Sequence, residues 1–215
     1  MQRGELALPD DWAGFVTAFS ARYGFAPLWL ERDELDLVGR PRLRIVLDRT
    51  EHYMRFVPRP LSPDRLQVRA IRRILERTGV PFGGVDHSPS GVREQPDVST
   101  LLIVFADFEQ AAVEQAHAAV TADETAAFER SLRLGGRLWQ TARAFGPPVV
   151  FVRTEAQAAA LRDSSERERW ADLWYAAARR HDEFARLHRT AIHIEVDSKE
   201  HLDAAYAGSL FHCFR

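Results

Sequence analysis

The chain has 215 residues, a formal net charge of -2 and 46% hydrophobic content. That length suits one large domain, and so small a charge gives no global attraction to nucleic acid or an anionic membrane. No apolar run approaches the ~20 residues that a membrane helix needs. Cys213 is the only cysteine, which excludes an internal disulfide. Residues 1–6 lack the apolar core of a signal peptide, so the expected location is the cytoplasm. Lys199 is the only lysine and every other basic residue is arginine, a bias that, with the high alanine content, points to a GC-rich bacterial genome rather than to the fold.

Pro9, Asp10 and Asp11 open a helix, since a proline and two acids suit the positive end of the helix dipole. Trp12, Phe15, Val16, Phe19 and Tyr23 then recur at spacings of three and four, one apolar stripe, and Gly24 ends it. Residues 25–40 carry no clear period, which makes 1–40 an N-terminal helical extension. Residues 42–48 read as a strand with one wet end. Residues 50–57 fit strand or helical turn equally, and Pro58 and Pro60 stop either one.

Ser62, Pro63 and Asp64 start a helix that runs to about Thr78, with Leu66, Ala70, Ile71, Ile74 and Leu75 inward. Its outer face carries Arg65, Arg69, Arg72, Arg73 and Arg77, the one basic patch of the chain. A solvated face partly balanced by Asp64 and Glu76 is favoured over a nucleic-acid footprint, because a single arginine helix in a net acidic chain is a weak signal. Residues 80–98, rich in Gly, Pro, Ser and Asp, form a long loop. It holds Asp86, His87 and Ser88, but adjacent residues do not make a triad, which is assembled in space.

Leu101, Leu102, Ile103, Val104 and Phe105 form the longest unbroken apolar run. Such a run predicts a strand covered on both faces, at the centre of a sheet. A helix over 108–120 follows, with Glu114 and His117 on one face; di-iron bundles use two such motifs and more glutamates, so no metal is expected here. Thr121 and Glu124 make a capping box for the next helix, which Gly135 and Gly136 close. Residues 138–145 resist assignment, and 149–152 form a second apolar strand. A short helix covers 156–161 and the longest helix 163–189, with Trp170, Trp174 and a core-edge His181 on its inward stripe. Residues 192–197 alternate as a half-buried strand, 198–206 read as helix, and 210–214 as a closing strand in which Cys213 is inert filling.

These elements predict an α/β (or α+β) fold: a single domain over 1–215, with one mixed sheet of about five strands beginning near Arg42, Leu101, Val149, Ile192 and Leu210. Three strand–helix junctions share a capping-box spacing: Asp107 with Gln110, Thr154 with Gln157, and Asp197 with Glu200. The third junction gives the candidate catalytic residues. His193, Glu195 and Asp197 share a strand face and Lys199 follows, so an acid–base group, two carboxylates and a cation lie close together. The competing reading is a polar, exposed sheet face, which needs no function.

No cofactor or metal is expected. Two functions fit. One is a cytoplasmic binding or regulatory protein of immunity type, acting through a protein partner or as a homo-oligomer; abundant tryptophan and arginine suit an interface. The other is a small enzyme acting on a polar or anionic substrate at the carboxyl ends of the strands.

Overall fold

The computed structural model describes residue 8 and residues 10–35, 40–80 and 98–214. The predicted loop at 80–98, with Asp86, His87 and Ser88, lies almost wholly outside the described residues. The fold is mixed α and β. The chain divides into two compact units, Met1–Gln110 and Ala111–Arg215. Each has its own sheet and its own core.

In the first unit a 3-10 turn, Asp10–Trp12, leads into α1 (Ala13–Tyr23). A hairpin of β1 (Trp29–Leu35) and β2 (Arg40–Leu47) follows, then α2 (Thr50–Met54), α3 (Arg65–Thr78), β3 (Leu102–Asp107) and α4 (Phe108–Ala118). β2 lies in the middle, antiparallel to β1 and parallel to β3. Phe15, Phe19, Leu43, Ile45, Leu47, Phe56, Ile71 and Leu75 fill the core. Phe19 and Phe56 stack with ring centroids 5.8 Å apart, an aromatic pairing worth ~0.5–1.5 kcal/mol beyond area burial. α1 packs beside α3, with Gly14 next to Thr78.

The second unit repeats this order. α5 (Ala122–Ser131) precedes a hairpin of β4 (Leu138–Ala142) and β5 (Val149–Val152). Then come α6 (Glu155–Arg162), α7 (Glu166–Ala178), β6 (Glu195–Ser198) and α8 (Lys199–Tyr206), with α9 (Leu210–Cys213) added at the end. β5 is central, antiparallel to β4 and parallel to β6. The register matches as well: Asp107 pairs with Leu47 in the first sheet and Asp197 with Phe151 in the second. Arg49-Thr50-Glu51 and Arg153-Thr154-Glu155 stand at the same place, just after each central strand. In both units a glutamate of the last helix caps the helix that follows the central strand. Glu109 accepts from Thr50 N at 2.9 Å, and Glu200 accepts from Glu155 N at 2.8 Å.

The single five-strand sheet is therefore corrected to two three-stranded sheets, and residues 101–105 lie at an edge rather than the centre. An unbroken apolar run fixes burial, not strand order. Ile103 is buried, but 104–107 are only half-buried. Residues 29–35, taken as irregular, form β1, because Glu31 and Asp33 are matched by Arg44 and Arg42 across the hairpin. Residues 210–214 are not a strand. Ala207 and Gly208 adopt positive φ, and Ser209 caps α9 by accepting from His212 N. The helix expected over 163–189 ends at Ala178, with a 3-10 turn at Arg179–His181.

Two caps shift by one or two residues, and a third makes no bond. Asp64, not Ser62, accepts from Leu66 N and Gln67 N at the start of α3. Ser198, not Asp197, accepts from His201 N. Ser165 makes no side-chain cap bond at α7. The boxes at Thr121 with Glu124 and Thr154 with Gln157 form with both bonds.

β6 is an edge strand, and exposed carbonyls at an edge invite pairing with another chain. Here arginines cover them: Arg167 donates to Ile194 O at 2.9 Å and Arg162 to Val196 O at 3.1 Å. In the first unit Arg72 donates to Leu101 O in the same manner. Among the described residues no helix is long and apolar enough to cross a membrane.

Candidate functional site

β5 and β6 run parallel and end side by side at Val152 and Ser198, so α6 and α8 start from one edge of the second sheet. Asp197 is half-buried there. It accepts from Ser198 N at 2.7 Å, meets His201 Nδ1 at 2.9 Å and lies 3.5 Å from Arg162. Glu155 accepts from Arg162 and from the Ser198 hydroxyl, at 2.5 and 2.8 Å. Arg162 first, then Ser198, hold the Glu155 carboxyl below its usual range.

Ser198, His201 and Asp197 have triad residue types but not triad geometry. The serine is fully buried, its proton goes to Glu155, and it accepts from the His201 backbone rather than the ring. The network holds two helix starts together and leaves the hydroxyl no base.

The four sequence candidates do not converge. The alternation holds: His193 and Glu195 are exposed, between buried Ile192, Ile194 and Val196. Neither makes a hydrogen bond or ion pair among the described residues. Lys199 pairs with Asp203 one turn along α8, rather than with Asp197 or Glu200, and lies 5.6 Å over the Trp139 ring. Only Asp197 joins the strand-end network. Of α6, Arg162 lies 3.5 Å from Asp197, and Glu155 joins the network through Arg162 and Ser198. Cys213 is half-buried, and burial pushes its thiol up.

Two other places gather chemistry. In the first unit, α1 and α3 enclose a groove of about 180 Å³ lined by Ala18, Arg22, Ala70, Arg73, Ile74 and Arg77. Arg65 and Arg69 stand exposed on the same helix. None of these five guanidinium groups pairs with a carboxylate among the described residues. Elsewhere Arg42, Arg44, Arg162, Arg169, Arg180 and Arg189 each meet an acid. The arginines of α3 were legible from sequence; Arg22 was not, because only tertiary packing brings it beside them.

In the second unit, His117 is 3% exposed. Its Nδ1 accepts from Trp174 Nε1 at 3.0 Å. Indole N–H only donates, so the neutral ring carries its proton on Nε2. Burial first, and then the Arg143 charge, push the His117 pKa down from its ordinary 6.5. Arg143 donates to the carbonyls of His117 at 2.5 Å and Val120 at 3.3 Å, with its guanidinium 5.2 Å from the Trp174 ring centroid. Glu114 and His117 share a cavity wall, but no group of three His, Cys, Asp or Glu fit to hold a metal occurs among the described residues.

No family model matches this chain, and neither a curated protein nor a solved structure matches it.

Proposed function

We propose that the protein is a binding or regulatory module of immunity type that works by protein–protein contact, with the arginine face of α1 and α3 taking an acidic protein surface. One observation carries this reading: Arg22, Arg65, Arg69, Arg73 and Arg77, all on α1 and α3, have no acidic partner among the described residues. Five unneutralised cations on two packed helices repel one another at a cost, which an anionic partner would reverse. The floor of the groove, Ala18, Ala70 and Ile74, is small and apolar, so guanidinium stems and partner side chains can lie flat on it. A protein partner suits the face better than nucleic acid. The groove offers no aromatic ring for base stacking, and the chain as a whole is acidic.

The enzyme reading at the strand ends has less support, since Glu155, Ser198 and Asp197 already satisfy one another. A cytoplasmic bacterial setting belongs to the proposal and rests on the single cysteine and the arginine bias.

Titration of the full chain with a poly-glutamate peptide, and separately with a DNA duplex, tests the reading. The expected result is salt-sensitive peptide binding that is abolished in the double variant Arg73→Glu with Arg77→Glu, the fold being unchanged because both side chains are exposed. Equal binding by the variant would overturn it. Preference for the duplex would replace the protein partner with nucleic acid. Self-association through this face, lost in the same variant, would make the partner a second copy of the chain.

A further inference from the structure

The cavity beside His117 is a second and independent feature, confined to the second unit. It measures about 590 Å³ and is lined by Ala111, Glu114, Gln115, His117, Arg143 and Phe145, among others. That volume falls within the ~300–1,000 Å³ of small-molecule sites, which join an apolar lining to a few convergent polar groups. The apolar part here is Ala111, Ala118, Ala144 and Phe145. Phe145 is 77% exposed, a large ring held at the rim with little to cover it.

The polar part is unbalanced towards donors. With Nδ1 occupied by Trp174, the His117 Nε2–H has no acceptor among the described residues. Nε2 is not sealed off and His117 lines the cavity, so an acceptor from outside can reach it. Arg143 uses two of its five N–H groups on carbonyls, meets no carboxylate among the described residues, and is pinned directly onto the His117 carbonyl. Two donors, the His117 Nε2–H and Arg143, therefore line the same cavity as the Phe145 ring. Arg143 and Glu114 roughly cancel in charge, and a neutral imidazole adds none. So a single negative charge is accepted more readily than the double charge of a phosphate ester.

We propose that this cavity binds an organic monocarboxylate with a flat apolar body, its carboxylate accepting from His117 Nε2–H and Arg143 and its body lying against Phe145. Tight fixing of the imidazole by Trp174, rather than its titration, is what makes it a donor aimed at one position. Glu114 then acts as the selectivity element, discouraging anions of higher charge.

Benzoate is the probe, added to the full chain labelled with 15N-histidine. Millimolar benzoate should shift the His117 ring signals, and phenyl phosphate should bind more weakly. Both informative variants lie at the mouth and spare the His117–Trp174 pair. Phe145→Ala should weaken benzoate several-fold, and Glu114→Gln should tighten it, up to about tenfold, by removing a like charge. His117 signals unmoved by benzoate would overturn the proposal, as would binding that neither variant changes. Phenyl phosphate bound more tightly than benzoate would refute the charge argument. Loss of peptide binding at the α1–α3 face has no bearing on these readouts.

Discussion

The two units share an order of elements, a central strand of the same kind and a glutamate cap at the helix after it, yet they differ in where their arginines go. In the second unit Arg143, Arg153, Arg162, Arg167, Arg169 and Arg189 all donate to backbone carbonyls of the unit itself. A planar fork with five donors can tie a loop or an edge strand in a way that a point charge cannot. In the first unit five arginines on α1 and α3 face outward with no acid partner among the described residues, although Arg42 and Arg44 pair across the hairpin and Arg40, Arg55 and Arg72 donate to backbone carbonyls. The difference lies in that one face, not in the arginines of the unit as a whole. The cores differ too: the first is built on phenylalanine, with Phe15, Phe19 and Phe56, the second on Trp170 and Trp174.

The largest effects should come from emptying either core. Phe19→Ala and Trp174→Ala should each destabilise by about 3–5 kcal/mol, the usual cost for a large buried ring. Each ring lies in the core of its own unit, so each variant should lower the unfolding of that unit in chemical denaturation. One common transition lowered by both variants would make the chain a single cooperative domain.

The edge-covering arginines come next. Arg167→Ala removes the donors to Ile194 O and Arg162 O and should cost about 1–3 kcal/mol. It should also promote self-association through the uncovered β6 edge. Arg72→Ala loses the bond to Leu101 O and should cost less, about 1 kcal/mol. Denaturation and light scattering on the pair would decide. A larger loss at Arg72 would reverse the contrast between the units.

Periodicity and caps made the helices legible: the stripe from Trp12 to Tyr23, the start near Asp64, and the boxes at Thr121 and Thr154. Strand order was not legible. The most apolar run became an edge: β2 takes the middle with Leu43, Ile45 and Leu47 fully buried, while residues 104–107 of β3 stay half-buried. The repeat did leave a trace, Arg-Thr-Glu at 49–51 and at 153–155, followed in each unit by an aspartate paired with the end of the central strand. Its weakness hid it, since three residues at a distance of 104 do not announce a duplicated order. Of the candidate site, the exposure of His193 and Glu195 was legible, but the strand starts only at Glu195, so His193 lies just before it. The isolation of the two could not be foreseen, because Arg162, which approaches Asp197, arrives by tertiary packing. His117 was noticed for its spacing from Glu114, whereas Trp174 and Arg143, which give it meaning, lie far away in the chain.

Capping should matter by about 1 kcal/mol and should distinguish the units in acid. Thr121→Ala and Thr154→Ala should each lose about that much. At the first of these boxes the Thr121 backbone N–H, then Arg180 and His181, bring the Glu124 carboxyl from 4.5 down to about 2. A depressed carboxylate contributes stability that is complete above its unfolded pKa and is lost as pH falls through the folded one. The second unit should therefore weaken between about pH 4.5 and 2, and Glu124→Gln should flatten that part of the profile. Local hydrogen exchange near α5, followed through an acid titration, measures it. An unchanged slope in the variant would remove Glu124 as the cause.

The smallest effect concerns the lone lysine. Two residues after the aspartate that pairs with each central strand, the first unit has Glu109 and the second has Lys199, so the sign of charge reverses at equivalent positions. Glu109 has a structural task in capping α2, which Glu200 performs for α6, leaving position 199 free of it. What remains to Lys199 is an exposed i,i+4 pair with Asp203 and a cation over Trp139. Arginine can make both contacts, and exposed pairs of this kind are worth little, so Lys199→Arg should change stability by less than ~0.5 kcal/mol. Lys199→Glu would copy the sign of the first unit but face Asp203 with a like charge, and should be the less stable of the two. Denaturation midpoints for the two variants settle the order. A marked loss in the arginine variant would mean that the position depends on lysine itself, and the strand-end enzyme reading would then regain ground.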